Sequence, residues 1–256
     1  MITEQLEFFP IKIKKTSSVI VRQSSSVYFR EWNDIVASIA KNFSVADRKY
    51  YAGMIDGDGS FNFRIPKDAK NFKATMSLEL RYDHAEPVTK LAELFDLTVR
   101  KITRLYRENT KDTLKTELGG IKCKLFMFSI YPYLLEKKNI ARNILLKLDC
   151  PEKHLSKRKK FSFEYLAGYT DAEGHIRFVL RHEKRNTKTY SSYKMFYQLT
   201  SNDNAHLQFI KQKLIKKGFN HFRKDVIDTH KNVKVRENRN PEKWKDTTHI
   251  YLGGTP

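Results

Sequence analysis

Two stretches of the chain repeat the same order of apolar and polar positions. Each is an apolar segment that ends on a carboxylate and a glycine, YAGMIDGDG at 51–59 and LAGYTDAEG at 166–174. Alternating apolar and polar residues follow at once, SFNFRI after the first segment and HIRFVL after the second. An apolar segment closed by glycine predicts a helix, and alternation predicts a strand with one buried face. Each copy therefore predicts a helix that runs directly into a strand.

The elements that follow also repeat. A second alternating segment, ATMSLELRYD in the first copy and YKMFYQLTSND in the second, predicts another strand, and an amphipathic helix follows each. The first copy continues with a strand-like KLFMFSI and a helical run from Tyr133 to about Leu148. The pattern predicts an α+β fold in which two duplicated units pair about a pseudo-twofold axis.

Small residues one helical turn apart occur in both motif helices, Gly53 with Gly57 and Gly168 with Ala172. A glycine inside a surface helix costs about 1 kcal/mol relative to alanine, so a matched pair in both copies indicates a packing role. We expect these residues to let the two helices approach each other closely.

The pattern divides the chain into four parts. Apolar residues at helical spacing predict an amphipathic helix over Arg30 to Phe43, ahead of the first repeat, and PEKHLSKRKK has no apolar period. The second repeat reaches YLGGTP where the first has ELGGIK and further elements, so we expect it to lack closing elements. The predicted parts are an N-terminal extension (1–43), the first repeat (44–150), a basic linker (151–162) and the second repeat (163–256).

Charge indicates the class of partner. The 256 residues contain 49 Lys and Arg against 29 Asp and Glu, a formal net charge of +20, which favours nucleic acid as the partner. The sequence shows no long apolar run, lipidation motif or signal-peptide pattern, so we expect an intracellular protein that is neither secreted nor membrane-bound. Cys123 and Cys150 are too few for a disulfide framework and lack zinc-site spacing, which predicts reduced thiols.

The acid that ends each motif, Asp58 or Glu173, is a candidate metal ligand. Carboxylate oxygens suit Mg²⁺, which activates water and stabilises charge on a phosphate. One acid per repeat would place two carboxylates together at the junction of the repeats. A simple turn is an alternative reading of Asp-Gly-Asp-Gly. A calcium-binding loop is excluded because Phe61 and Lys67 replace its required glycine and glutamate.

Both motifs resemble the signature of the LAGLIDADG homing endonucleases, in the single-chain form with two motifs. The resemblance implies two αββαββα-type units whose antiparallel sheets form a saddle on double-stranded DNA, the second unit being C-terminally truncated here. It implies that Asp58 and Glu173 bind the catalytic metals and that cleavage occurs across the minor groove. The earlier acids Asp56 and Asp171 are interpreted as structural, bonding backbone amides near the helix ends.

The resemblance also implies polar residues around the metals. A polar residue on the second strand of each unit corresponds by eye to Arg81 and Gln198, and a lysine near the end of a later strand corresponds to Lys122 in ELGGIK. The matching place in the second copy is Pro256, so a second lysine is absent there, and Lys124 is a possible substitute. We count Arg81, Gln198 and Lys122 with the two acids as candidate catalytic residues.

Strand parity separates candidate DNA-reading residues from core residues. Alternate apolar positions of the two strands are expected to face the core: Phe61, Phe63, Ile65, Ile176, Phe178 and Leu180. The intervening side chains then face outward, where base edges are read. These candidates are Ser60, Asn62, Arg64, His175, Arg177 and Arg181.

The leading functional hypothesis is a site-specific, Mg²⁺-dependent double-strand DNA endonuclease, a monomer with a long target site. The resemblance implies that it is encoded in an intron, and a mitochondrion or plastid is a plausible compartment. One alternative is an RNA maturase that binds its intron RNA and assists splicing, and another is an inactive DNA-binding remnant. Intact acids favour the endonuclease over both alternatives.

Overall fold

A computed structural model describes residues 43–64, 73–103, 112–156, 158–185, 188–201, 203–219 and 248–254. The helix predicted over Arg30 to Phe43 lies outside these residues except for Phe43 itself. The side chains of Arg64, Arg177 and Arg181 are likewise outside the description, although their backbones lie in strands.

The described part of the first repeat contains four helices and four strands. They are α1 (Val45–Gly57), β1 (Gly59–Arg64), β2 (Lys73–Arg81), α2 (Glu86–Phe95), β3 (Val99–Ile102), β4 (Thr113–Gly119), α3 (Gly120–Ile130) and α4 (Lys138–Lys147). The strands form an antiparallel sheet of order β1-β2-β4-β3, and short 3₁₀ turns precede α2 and follow α3.

The described part of the second repeat contains two helices and three strands. They are α5 (Phe163–Glu173), β5 (Gly174–Arg185), β6 (Lys188–Ser201), α6 (Asn204–Lys216) and β7 (Thr248–Gly254). The strands form an antiparallel sheet of order β5-β6-β7. The mixed helical and antiparallel architecture confirms the predicted α+β class.

The strands of the two repeats pair in the same register. The glycine that follows each acid pairs with a leucine, Gly59 with Leu78 and Gly174 with Leu199. On β2 and β6, the residue two positions before that leucine is Met76 or Tyr197. Each of these pairs with a leucine on the next strand of its sheet, Met76 with Leu118 and Tyr197 with Leu252. Strand β7 is therefore the counterpart of β4, and ELGG and YLGG occupy equivalent positions.

One element differs from its prediction. KLFMFSI lies in helix α3 and is not a strand. Seven residues of this helix are buried, Cys123 and the run from Leu125 to Ile130, so apolar side chains are needed on every side of it. A helix buried all round has no amphipathic period, which is why its sequence resembles a buried strand.

Helices α1 and α5 begin at serine caps and then cross at their glycines. The side chains of Ser44 and Ser162 accept from the amides of Asp47 and Tyr165, at 3.0 and 3.1 Å. A Cβ added at Gly53 would lie 2.0 Å from the Tyr165 carbonyl oxygen. One added at Gly168 would lie 1.8 Å from the Tyr50 carbonyl oxygen. The crossing has no room for any side chain, which confirms the predicted close packing.

The core of the first repeat lies between its sheet and helices α1 to α4. Phe43 anchors one end of it by contacting the rings of Tyr51, Phe95 and Phe126, with centroids 5.8 to 6.1 Å apart. Cys123 and Cys150 are free thiols, and both are buried in this core. Burial raises the pKa of each thiol to about 12.

The predicted core face of β1 and β5 is largely wrong. Phe61 is half-buried, but Phe63 is 51% exposed, with the Lys147 ammonium 5.1 Å from its ring centre. Ile176, Phe178 and Leu180 are also exposed, Phe178 by 70%. Alternation buries a strand face only where another layer packs on it, and the described elements do not cover these positions of β5.

Among the described helices, none is long and apolar enough to cross a membrane.

Candidate active site at the helix crossing

The two acids lie at the same end of the crossed helices. Asp58 follows the last residue of α1, and Glu173 is the last residue of α5. A Cβ added at Gly57 would lie 2.4 Å from the Cβ of Ala172 and 3.0 Å from the Cγ of Glu173. The Glu173 side chain therefore lies against the end of α1, one residue before Asp58. Each repeat contributes one carboxylate to this position.

Both carboxyls are held in an environment that favours their neutral forms. Asp58 is exposed as a whole residue, but desolvation of its carboxyl raises its pKa to about 6, with the charge of Glu79 adding to the shift. Desolvation raises the pKa of Glu173 to about 7, and the charge of Asp58 is the next cause. Lys137 opposes the shift at both acids. A cation beside the two carboxyls would offset their repulsion and favour their ionised forms.

Lys137 supplies positive charge at this position, and the sequence reasoning missed it. Its ammonium donates to the carbonyl oxygens of Ile55, Gly57 and Gly59 at 2.8, 2.9 and 2.8 Å. Those carbonyls belong to the end of α1 and the start of β1, where a helix carries partial negative charge. Burial lowers the pKa of Lys137, while the charges of Asp56, Glu136, Asp58 and Glu173 act to raise it.

A buried carboxylate holds the segment that carries Lys137. Asp56 is 1% exposed and accepts from the amides of Leu135, Glu136 and Lys137 at 2.7, 3.0 and 2.8 Å. This confirms the structural role predicted for Asp56. Asp171 differs, because its exposed carboxylate accepts from the hydroxyl of Tyr50 at 2.6 Å and not from a backbone amide among its described bonds.

The other candidate catalytic residues lie in varied places. Lys122 is in the first turn of α3 and not at a strand end, and its ammonium donates to the Asp96 carbonyl oxygen at 2.8 Å. Arg81 is exposed and pairs with Asp83 at 2.7 Å. Gln198 is half-buried on β6.

Arg81 and Gln198 are not equivalent positions. Arg81 comes three residues after Leu78, whereas Gln198 comes one residue before Leu199, the counterpart of Leu78. The register instead makes Glu79 and Thr200 equivalent. Glu79 is the β2 residue whose charge acts on Asp58, and it accepts from the Thr113 hydroxyl at 2.7 Å.

The predicted DNA-reading residues are exposed wherever their side chains are described. Ser60 and Asn62 on β1 and His175 on β5 are all exposed. Because Ser60 and His175 come two residues after the two acids, any duplex seated on them also passes the carboxylates.

The donor set fits a hard divalent cation that is shared with a substrate. Among the described residues, no group of three or more His, Cys, Asp and Glu side chains is arranged to hold a metal ion. Two carboxylates and no thiol or imidazole suit Mg²⁺, which keeps several waters and takes its other ligands from phosphate oxygens. The two carboxyls with raised pKa values are the described groups that fit such an ion.

Comparisons with known proteins were made for sequence and for structure. No family model matches the sequence, and no curated protein matches it. The meganuclease I-SmaMI bound to uncleavable DNA with a TTCT central four is similar in structure, with a TM-score of 0.53 and 16% identity, over 83% of this chain and 80% of that one. I-SmaMI on DNA with a TTGT central four gives a TM-score of 0.50 and 17% identity, over 82% and 77% of the two chains.

I-SmaMI is a LAGLIDADG homing endonuclease. This chain has the LAGLIDADG homing endonuclease fold. At this level of identity the likeness establishes the fold and assigns no role to a residue. The roles rest on the LAGLIDADG-type helices α1 and α5, which bring one acid from each repeat to a single place.

The signal for Lys137 was present in the sequence but weak. It lies in YLLEKKNIARNILLKL, where two adjacent lysines precede an amphipathic helix. Such lysines are usually solvated, and one of them, Lys138, is buried here with its ammonium donating to the carbonyls of Tyr131 and Pro132. The sequence does not show that the chain, after passing through α3, brings Lys137 back to the end of α1.

Proposed function

We propose that this protein is a divalent-metal-dependent endonuclease that cuts both strands of a DNA duplex. The observation that carries the proposal is the junction of Asp58, Glu173 and Lys137 at the ends of two crossed helices. One chain supplies both acids, which supports action as a monomer. The fold shared with a DNA-bound homing endonuclease supports duplex DNA as the substrate, and an intron-encoded origin is part of the same proposal.

Asp58 and Glu173 would hold Mg²⁺, which when bound supplies a Lewis acid and a water of lowered pKa. We assign the two acids, one from each repeat, to the cutting of one phosphodiester on each strand. Lys137 stabilises negative charge in the site, while its bonds to three carbonyls keep its position fixed. We assign this role to Lys137 in preference to Lys122, because the charge of Lys137 acts on both acids.

DNA recognition is assigned to the exposed residues of the first strand in each repeat. Ser60, Asn62 and His175 are suited to contact base edges, with Arg64, Arg177 and Arg181 proposed on the same strands. Much of the remaining positive charge is expected to contact phosphates, which position the duplex without reading its sequence.

A selection of cleaved sites tests this function. The purified chain is incubated with a library of randomised duplexes in Mg²⁺ or in EDTA, and cut ends are sequenced. We expect one long site to be enriched in Mg²⁺ only, with both strands cut a few base pairs apart. Random ends, or no ends above the EDTA sample, would contradict the proposal.

A second candidate function, RNA binding, is favoured by one surface. Phe161, Phe163 and Phe219 form an aromatic patch with ring centroids 6.1 to 6.2 Å apart, and Phe163 and Phe219 are 47% and 46% exposed. Arg158, Lys159 and Lys160 are exposed just before it in sequence. Exposed rings beside basic residues suit unstacked bases of single-stranded nucleic acid.

The aromatic patch lies at the first turn of α5, about 15 Å along the helix from Glu173. The patch is therefore separate from the acids, at the other end of α5. We expect Phe163→Ser to weaken binding of single-stranded RNA at least fivefold while leaving DNA cleavage intact. Equal RNA affinity in both proteins would remove this second function.

A further inference from the structure

A buried polar cluster joins the two repeats directly behind Lys137. Its first-repeat members are Asp56 and Glu136, and its second-repeat members are Tyr165, Tyr169, Ser201 and His206. Tyr165, Tyr169 and His206 are each at most 1% exposed. Buried polar groups cost free energy unless they are bonded, so the pattern of bonds is tightly constrained.

The direction of each hydrogen bond at Asp56 follows from the chemistry of its neighbours. The Tyr165 hydroxyl donates to Asp56 Oδ2 at 2.7 Å, so it accepts from His206 Nε2–H at 3.3 Å. Burial lowers the pKa of His206 to about 4, which keeps the ring neutral. Because the Tyr165 hydroxyl donates its proton to Asp56, the neutral ring carries its own proton on Nε2 to bond that hydroxyl. Asp56 therefore receives a bond from the second repeat as well as three backbone amides of the first.

Glu136 makes the second link between the repeats. Its Oε2 accepts from the Ser201 hydroxyl at 3.2 Å and lies 3.3 Å from the Tyr169 hydroxyl, which shares its one proton between Glu136 and the Thr200 carbonyl oxygen at 3.2 Å; both donors belong to the second repeat. Its backbone amide donates to Asp56 Oδ2 at 3.0 Å. The second repeat thus holds the side chain of Glu136, and the first repeat holds its main chain.

Lys137 comes next in the chain and has little freedom of its own. Its amide donates to Asp56 Oδ1, and its three ammonium donors are taken by three carbonyls of α1 and β1. The position of its charge depends on where the main chain of 135–137 lies relative to α1. The bonds of Glu136 to Tyr169 and Ser201 set that position with respect to α5, which carries Glu173.

We propose that Glu136 is a positioning residue through which the second repeat holds Lys137 in register with both Asp58 and Glu173. The proposal rests on the proposed function of the acids and adds a residue that does not touch substrate or metal. It assigns a functional purpose to an inter-repeat link that otherwise only stabilises the fold. A displacement of catalytic groups by about 1 Å can cost 10²-fold in rate, so such a link has a measurable effect.

Substitutions at both ends of the link test the proposal. Glu136→Ala removes both bonds, and Glu136→Gln keeps an acceptor oxygen but removes the charge. Tyr169→Phe removes one donor and keeps the ring that stacks on Tyr165. Tyr197→Phe is the matched control, because its hydroxyl bonds Thr170 within the second repeat and not Glu136.

Single-turnover cleavage of a selected site at saturating Mg²⁺ is the first readout. We expect Glu136→Ala to slow cleavage at least tenfold with metal-free DNA affinity unchanged, and Glu136→Gln to restore most of the rate. In a Lys137→Met background, Glu136→Ala should have no further effect, because a positioning residue acts through Lys137. The proposal would be overturned if the two substitutions slowed cleavage independently, so that their rate losses multiplied in the double variant. An equal loss of cleavage rate in the control Tyr197→Phe would also overturn it.

A second readout does not depend on cleavage. Chemical acetylation of Lys137, followed by mass spectrometry, reports how well its ammonium is held against the α1 carbonyls. Tyr169→Phe is the decisive variant, because it keeps the charge of Glu136, which itself raises the pKa of Lys137. Lys137 should be acetylated at least threefold faster in Tyr169→Phe than in Tyr197→Phe or the natural chain. Unchanged acetylation would overturn the positioning role even if cleavage fell. Faster acetylation in a chain that never cuts DNA would support the link and reject the proposed function.

Discussion

Asp58 and Glu173 are ionised at a cost to the folded protein. Each acid is more easily protonated in the fold than in an unfolded chain, since its pKa is raised to about 6 or 7. The fold binds extra protons, so its stability falls as pH rises through this range. Mg²⁺ bound between the acids would offset the same repulsion, which links metal binding to stability.

Neutralising Glu173 should therefore stabilise the metal-free protein at pH 8. We expect Glu173→Gln to raise Tm by roughly 1–3 °C at pH 8, and the gain to be clearly smaller at pH 5, which lies close to the pKa of about 4.3 that a glutamate has in an unfolded chain. Thermal unfolding in EDTA at both pH values measures this. An equal or larger gain at pH 5 would contradict the account.

Metal binding competes with protons at the same two carboxyls. At limiting Mg²⁺ we expect the cleavage rate to rise steeply between pH 6 and 8, because the two carboxyls become ionised with pKa values of about 6 and 7. At saturating Mg²⁺ the rise should shift to lower pH. A pH profile of the cleavage rate that is the same at all Mg²⁺ concentrations would mean that these acids do not bind the metal.

At the scale of elements, the crossing of α1 and α5 determines whether a site forms. A Cβ at Gly168 would meet backbone atoms of Tyr50 at 1.8 and 2.7 Å, and backbone cannot rotate away as a side chain can. We expect Gly168→Ala to lower the free energy of unfolding by about 2 kcal/mol or more, despite the better helix propensity of alanine.

Gly119→Ala is the matched control for this substitution. Gly119 has an extended backbone, and the nearest heavy atom to an added Cβ is 3.8 Å away. Its unfolding free energy should change by less than about 1 kcal/mol. Urea unfolding of the two variants compares them directly, and equal stability would mean that the helices do not cross as described.

Sequence patterns predicted the elements that recur in both repeats. The motif helices, their small-residue crossing and the pairing of ELGG with YLGG all follow from repetition along the chain. The patterns mispredicted α3 as a strand, because its residues are buried all round. They also mispredicted the core face of β5, whose residues Ile176, Phe178 and Leu180 are exposed. Period shows which residues share a face, but not what covers that face.

Site residues followed the same division. The two acids were predictable because each ends its own motif, so position in the repeat fixes position in the site. Lys137 was not, since it reaches the acids only after the chain has passed through β4 and α3. Arg81 and Gln198 were aligned without knowledge of strand register, which a protein sequence does not contain.

At the scale of the whole molecule, net charge should govern the proposed encounter with DNA. A formal net charge of +20 predicts that many phosphate contacts release counterions on binding. We expect duplex affinity, measured by fluorescence anisotropy without metal, to fall at least about 100-fold between 50 and 200 mM KCl. A change of less than about threefold would mean that the basic residues do not follow the phosphate backbone.

The most direct test of the central claim is single-turnover cleavage of one selected duplex, with each strand labelled separately. The natural chain, Asp58→Asn and Glu173→Gln are compared in Mg²⁺ at equal DNA occupancy. We predict that the natural chain cuts both strands. Each variant should still bind the duplex but cleave it at least about 100-fold more slowly than the natural chain. Full cleavage of both strands by either variant would show that the paired acids at the helix crossing are not the active site.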